Sequence, residues 1–176
     1  EATVSFAHTF SNDRVTAKIN LFKVDKETGK AVPQGDATLK GAVYGLYARE
    51  DIVHPDGATG TIYKAGEQVA SLTTDDKGQS SVKGLYLGKY YVKEITPPTG
   101  YLADTEEHDL VCSYEGDMTA EVKRECTSSE QVIKQPFQII KAANNGKTDA
   151  DLLSGAGFTV YLKSSLTKKA DGSYDF

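Results

Sequence analysis

Leu72–Tyr101 reads LTTDDKGQSSVKGLYLGKYYVKEITPPTGY, and this stretch decides the fold. A polar turn at Asp75-Asp76-Lys77-Gly78 opens it, Leu85 and Leu87 then share one phase, and Tyr90 and Val92 share the next. Alternation with period two marks a half-buried strand. Pro97 and Pro98 end the ladder because proline has no N–H to donate, and Gly100 lets the chain turn. The same grammar runs outward in both directions. Val4, Phe6, His8 and Phe10 share a phase, as do Ile19 with Leu21, and Val43 with Gly45 and Tyr47. Turn clusters such as Glu27-Thr28-Gly29, Pro55-Asp56-Gly57 and Glu115-Gly116-Asp117 separate the runs. With no helical periodicity long enough to form a crossover, the pattern predicts an all-β chain folded as an antiparallel β-sandwich.

Composition narrows the function. The chain has 176 residues and a net charge of −5, from 20 Lys and Arg against 25 Asp and Glu. That is one ordinary domain, or one domain with pieces of neighbours, and the sign argues against nucleic acid as a partner. No apolar run approaches the roughly 18 residues of a membrane helix. The N-terminus lacks a basic region followed by an apolar stretch, so no secretory signal is expected within this sequence. Sixteen Gly, ten Tyr, no Trp and one Met suit a β-rich extracellular protein.

The chain also repeats itself. Ile19–Lys23 (INLFK) is followed by Leu39–Tyr47 (LKGAVYGLY), and Phe137–Lys141 (FQIIK) by Leu153–Tyr161 (LSGAGFTVY), with the two lysines 118 positions apart. Tandem modules are expected from such a repeat. Residues 1–15 then read as the last strand of a preceding module, 16–134 as a complete one, and 135–176 as the first strands of a following, incomplete one.

Lys23 is the informative residue. It shares the phase of Ile19 and Leu21, so if those face the core the ammonium does too, and an unpaired buried charge costs several kcal/mol. Lys141 repeats the arrangement behind Phe137 and Ile139. The plain alternative is a lysine that ends its strand and reaches water along its apolar stem. Glu94, in phase with Tyr90 and Val92, supplies an inward acid. Desolvation raises a carboxyl pKa and lowers an amine pKa, so a proton can pass from Lys to Glu. A neutral amine beside a neutral acid can attack a nearby side-chain amide, expel ammonia and leave a Lys–Asn isopeptide bond.

Tyr90–Tyr101 (YYVKEITPPTGY) resembles the E-box of Gram-positive sortase-assembled pilins, with Tyr90, Glu94, Pro98, Gly100 and Tyr101 matching its pattern. The run before it, with LFKVDKETGK and LKGAVYGLYA, resembles the strands of SpaA/Cna-B domains of pilins and cell-wall adhesins. The resemblance implies an Ig-like or prealbumin-like sandwich on an extracellular, cell-wall-anchored protein. Its partners would be neighbouring modules or pilin subunits, sortase, and the host extracellular matrix. It also implies that Lys23 bonds to an Asn near the end of the last strand with Glu94 as the assisting acid. Here no Asn lies between Asn20 and Asn144. Asn12, in phase with Phe6 and Phe10, sits 11 residues before Lys23, where the Asn closing a preceding module would lie. Eleven residues before Lys141 is Glu130, so Glu130 takes the acceptor position of the complete module. A noncovalent Glu–Lys–Glu cluster is the expectation. Condensation of Lys23 with Glu130, and a Lys23–Asn12 bond if the N-terminal strand folds back, stand as alternatives.

Cys112, in phase with Leu110 and Tyr114, and Cys126, in phase with Val122, offer a disulfide, which for a loop of roughly 15 residues would give about 3 kcal/mol. Two separate buried thiols are the alternative. His8, His54 and His108 lack metal spacing, and no cofactor or metal is expected. Neither is enzymatic turnover, beyond a single autocatalytic cross-link. The leading expectation is a stalk or shaft module. The alternative is an adhesive module holding a host matrix protein or glycan on a Tyr-rich surface around Tyr44, Tyr63, Tyr86 and Tyr91.

Overall fold

Ten residues with alternate side chains buried open the fold: β1, Thr16–Asp25, turns Ala17, Ile19, Leu21, Lys23 and Asp25 inward. The structure is a computed structural model, describing residues 7–9, 13–141 and 155–175. β2 (Val43–Ala48), β3 (Ile52–Val53), β4 (Thr61–Tyr63), β5 (Gln68–Thr73), β6 (Gln79–Leu85), β7 (Gly88–Thr96), β8 (Glu107–Cys112) and β9 (Glu121–Glu130) follow. Two sheets, in the orders β6-β1-β9 and β5-β2-β7-β8, hold most of them, and β3 and β4 pair as a short hairpin. No α-helix occurs among the described residues, so the chain is all-β, as its period-two pattern predicts.

One pairing departs from a purely antiparallel sandwich. β9 runs parallel to β1 from Thr16↔Glu121 to Asp25↔Glu130, while β1 with β6 and every pair in the other sheet are antiparallel. Parallel neighbours need a long connection, and here the rest of the domain provides it. The consequence is positional: Lys23 lies beside Ser128, and Asp25 beside Glu130.

Between the sheets, Ile19, Leu21, Tyr44, Leu46, Tyr90, Val92 and Val122 are fully buried in one apolar cluster. Each large side chain there contributes roughly 1.5–3 kcal/mol of transfer free energy. In β2 the inward phase is Tyr44, Leu46 and Ala48, the opposite of the phase expected from Val43, Gly45 and Tyr47. Tyr47 instead lies flat over Gly45, where an added Cβ would sit 2.3 Å from the ring. Gly78 serves the same kind of close approach, with φ +70° and a hypothetical Cβ 2.7 Å from the Lys23 carbonyl oxygen.

A compact unit ends at Val132, and a second comprises Ile133–Phe176. In the second, β10 (Thr167–Lys168) and β11 (Tyr174–Asp175) pair as a hairpin after a single 3₁₀ turn at Lys163–Ser165. Phe137–Lys141 forms no strand, and Phe137, Ile139 and Ile140 are exposed. In the first unit β1, which carries the similar run Ile19–Lys23, is held between β6 and β9, and no described segment of the second unit supplies such partners to Phe137–Lys141.

Candidate functional site

At one end of the sandwich interior the inward positions turn from apolar to charged. Lys23 has no solvent exposure, and Glu94 and Glu130 are 8% and 3% exposed. Each comes from a different strand: Lys23 from the middle of the first sheet, Glu94 from a middle strand of the facing sheet, Glu130 from the end of β9. The inward direction read from phase for Lys23 and Glu94 is what the structure shows, and Glu130, reached from its position eleven residues before Lys141, is buried as well.

The hydrogen bonds divide the two carboxylates in a consistent way. Glu94 Oε2 accepts the Asp104 backbone N–H at 2.8 Å, and Glu130 Oε1 accepts the Tyr44 hydroxyl at 2.7 Å and lies 3.0 Å from Ser128 Oγ. Glu94 Oε1 and Glu130 Oε2 face no hydrogen-bond donor other than the lysine. Lys23 Nζ fills that gap, in direct ionic contact with Glu130 Oε2 and 3.6 Å from Glu94 Oε1. Its remaining surroundings are the Tyr44 oxygen at 3.4 Å and the Tyr101 ring, whose centroid is 5.3 Å away.

One cation therefore serves two acids, and the electrostatics reflect it. Burial, then the adjacent Glu130 carboxylate, push Glu94 up to about 7, against the pull of the Asp104 N–H and of Lys23. Burial likewise raises the Tyr44 phenol far above its ordinary range, so it stays a donor. Just beyond Lys23, the buried Asp25 accepts from the N–H groups of Glu27 and Thr28, from Gln34 and from the Tyr101 hydroxyl at 2.9 Å. Burial pushes its carboxyl up, but these donors together hold it below the usual range. The Tyr101 contact ties the segment after the two prolines to the end of β1. Tyr44, Asp25, Ser128 and Asp104 are additions to the sequence-level reading; Asp25 and Ser128 carried a signal, Asp25 continuing the phase of Ile19, Leu21 and Lys23 and Ser128 sharing that of Cys126 and Glu130.

The other expected site residues fall elsewhere. Asn12 lies outside the described residues. Lys141 is exposed and in no strand. Cys112 and Cys126 are both buried, but they are free thiols and no disulfide joins them. They approach from strands of different sheets that run in opposed directions: Arg124 Nε donates to the Val111 carbonyl, and Ser128 reaches Asp104. On that alignment the cysteines are offset by about three residues, or roughly 10 Å of strand. Burial raises both thiols, Cys126 to about 11, which leaves them poor nucleophiles. Tyr44, expected on a tyrosine-rich surface, is fully buried, while Tyr91 is stacked on Tyr47 and covered by Arg49.

The model of a family described as SpaA, a prealbumin-like fold domain, matches residues 17–125, more than half of the chain. The chain belongs to the SpaA family. That match spans Lys23, Tyr44 and Glu94 and stops five residues short of Glu130. Among solved structures, this SpaA chain is similar to the Bacillus anthracis TIE protein, at 21% identity over 68% of this chain and 18% of that one, with a TM-score of 0.45. It is similar to GBS52, the minor pilin of Streptococcus agalactiae, at 22% identity over 72% and 49% of the two chains, with a TM-score of 0.45. It is similar also to BcpA, the major pilin subunit of Bacillus cereus, at 23% identity over 64% and 28%, with a TM-score of 0.37. The chain thus spans less than half the length of each of these proteins. No curated protein matches it. No described helix is long and apolar enough to cross a membrane, and no described group of His, Cys, Asp and Glu is placed to hold a metal ion.

Proposed function

We propose that this SpaA domain is a structural module of a cell-wall-anchored pilin or adhesin on a Gram-positive surface, tied internally by a noncovalent Glu94–Lys23–Glu130 cluster. The observation that carries this reading is the fully buried Lys23 set between two inward acids on three different strands. Pulling on the domain ends loads β1 and β9, and the cluster joins those strands to each other and, through Glu94, to the facing sheet. Such a module spaces and bears load without turning over a substrate. Its partners are the neighbouring modules or pilin subunits of the same shaft, assembled by sortase, with the host matrix as the surface the shaft meets. Asn12 and Lys141 would be the cross-linking residues of the modules before and after.

Glu130 decides the chemistry. An amide at this position would let Lys23 expel ammonia; a carboxylate must lose water, and an ionised carboxylate beside an ammonium forms an ion pair instead. Intact-mass measurement on the purified chain tests this, with the sequence mass expected. A deficit of about 17 Da (ammonia, through Asn12) or about 18 Da (water, through Glu130) would overturn the noncovalent reading. The surface role is tested by immunogold labelling of the source bacterium. Label along surface fibres or at the wall is expected, and label confined to the cell interior would sink it.

A further inference from the structure

Among the described residues, a chain of polar contacts joins the buried cluster to an open groove, and it runs through a hydroxyl with a single proton. Ser128 Oγ lies 3.0 Å from Glu130 Oε1 and 3.0 Å from Asp104 Oδ2. Both oxygens belong to acids, and a serine hydroxyl donates to only one acceptor at a time. On its far side, the same Asp104 Oδ2 is 2.7 Å from His108 Nε2. The Asp104 and His108 side chains, 10% and 23% exposed, line an open groove of about 480 Å³ shared with Glu130. An unbroken chain of polar contacts, His108–Asp104–Ser128–Glu130–Lys23, thus leads from the groove to the buried ammonium.

We propose that His108 is a pH-responsive positioning residue that decides, through Asp104, whether the Ser128 hydroxyl is given to Glu130. When the imidazole is protonated, it donates to Asp104 Oδ2 and neutralises that carboxylate's claim on the serine. Ser128 then turns to Glu130, which holds Lys23 with a full set of donors: Tyr44, Ser128 and the ammonium itself. When the imidazole is neutral, Asp104 is the stronger acceptor and takes the hydroxyl, leaving Glu130 with Tyr44 and Lys23 alone. Histidine is the side chain whose charge ordinarily changes near neutral pH. No covalent bond forms or breaks. One hydroxyl rotates, and one proton enters or leaves the imidazole from the groove.

The groups around this chain are accounted for strand by strand. β1 contributes Lys23 and Asp25, the latter already saturated by its own donors and Tyr101. β2 contributes Tyr44, committed to Glu130, and β7 contributes Glu94, joined to the loop by the Asp104 N–H. Of the remaining neighbours, Glu106 donates its N–H to Asp104 Oδ1, the Cys126 thiol feels the Asp104 charge, and Lys26 stands at the groove. Glu107 faces the other way, paired with Arg49 and Lys93. Glu94, raised to about 7, changes charge near neutrality.

The inference rests on the noncovalent reading, because it needs Glu130 to keep a free carboxylate. The experiment follows the Glu130 side-chain carboxyl ¹³C resonance of the full 176-residue chain from pH 5 to 9, in a Glu94→Gln background that removes the neighbouring titration. The expected result is one step in the Glu130 resonance, coincident with the titration of the His108 ring. That step disappears when His108→Gln or Ser128→Ala is added, and Ser128→Thr, which keeps the hydroxyl, retains it. A resonance with no step in the Glu94→Gln background overturns the proposal, as does a step that survives His108→Gln or Ser128→Ala. The Thr variant keeps the question open to refutation even if the Ala variant does not fold, since loss of the step there also counts against the relay. Intact mass of the same sample separates the two readings. A deficit of about 18 Da with no Glu130 carboxyl signal removes the cluster itself, whereas an unchanged mass with no coupled step removes only the relay.

Discussion

The two ends of the sandwich interior are built from the same strands in the same phase, yet they are held together by different physics. At one end Ile19, Leu21, Leu46, Val92 and Val122 meet as apolar surfaces. At the other, one to four inward-facing positions along the same strands, Lys23, Glu94 and Glu130 take the inward positions. Apolar contacts are non-directional, so the first end tolerates repacking and is indifferent to pH. Buried charges tolerate neither the loss of a partner nor a change in proton count. The period-two pattern decides only which side chains go in. What they cost once inside depends on whether the parallel β1–β9 pairing and the Tyr101–Asp104 segment deliver partners to them.

The sharpest way to break the comparison is to remove one partner at each end. Glu130→Ala removes the carboxylate in direct ionic contact with the buried Lys23 and leaves only Glu94, 3.6 Å away. Stranding a buried charge costs about 3–5 kcal/mol. Leu21→Ala at the apolar end costs about 2–5 kcal/mol through lost transfer free energy and the cavity it leaves. The sizes overlap but the remedies differ, and urea unfolding separates them. Adding Lys23→Met and Glu94→Gln to Glu130→Ala should recover most of the loss, because no charge is then left without a partner. No second substitution of that kind rescues Leu21→Ala. If the triple variant is no more stable than the single one, the buried-charge account of this end is wrong.

Much of this contrast is legible in the sequence, and the gaps have physical reasons. Glu130 was reached from its spacing to Lys141, whereas Lys23 and Glu94 each continue an apolar alternation, so their inward direction follows from strand geometry alone. Ser128 was legible on the same ground, being in phase with Cys126 and Glu130. Tyr44 was not: both phases of β2 carry apolar or aromatic residues, and Gly45 makes the outer phase look like an inner one because Tyr47 is laid across it. Asp104 and His108 act through a loop and the first residues of β8, where no periodicity announces them. The parallel neighbourhood of β1 and β9 joins residues about a hundred positions apart, beyond the reach of any local pattern. The disulfide expectation fails for a related reason. Phase places both cysteines inside, as they are, but says nothing about how far one strand is displaced along another.

The next test uses protons instead of substitutions. Glu94 is raised in the folded state from an ordinary 4.5 to about 7. Between those values the folded chain binds more protons than the unfolded one, so its stability falls as pH rises from about 5 to 8. A shift of that size corresponds to about 3 kcal/mol. Asp25 and Asp104 act oppositely, both held below 3.8, so their contribution is lost as pH falls through the acid range. Unfolding free energies measured from pH 3 to 9 should therefore peak near pH 5. Glu94→Gln should flatten the alkaline side and leave the acid side in place. An apolar-end variant such as Leu21→Ala should lower the whole curve without changing its shape. A wild-type curve that is flat or rising between pH 5 and 8 would contradict the assignment of Glu94 as the neutral acid of the cluster.

The smallest effect comes from the group that belongs to both ends. The Tyr44 ring is part of the apolar cluster, while its hydroxyl donates to Glu130 and faces Lys23. Tyr44→Phe keeps the ring and its packing and removes only the donor, so the expected loss is that of one hydrogen bond to a charged group, about 1.5–3 kcal/mol. The two ends predict different things about that loss. If the hydroxyl matters as a donor to the Glu130 carboxylate, the cost should nearly vanish in a Glu130→Gln/Lys23→Met background, where the acceptor is no longer a charge held against an ammonium. If it matters only by filling space at the end of the apolar cluster, the cost should be the same in both backgrounds. A double-mutant cycle by urea unfolding reads the difference directly, and a coupling energy near zero would place Tyr44 with the apolar end alone.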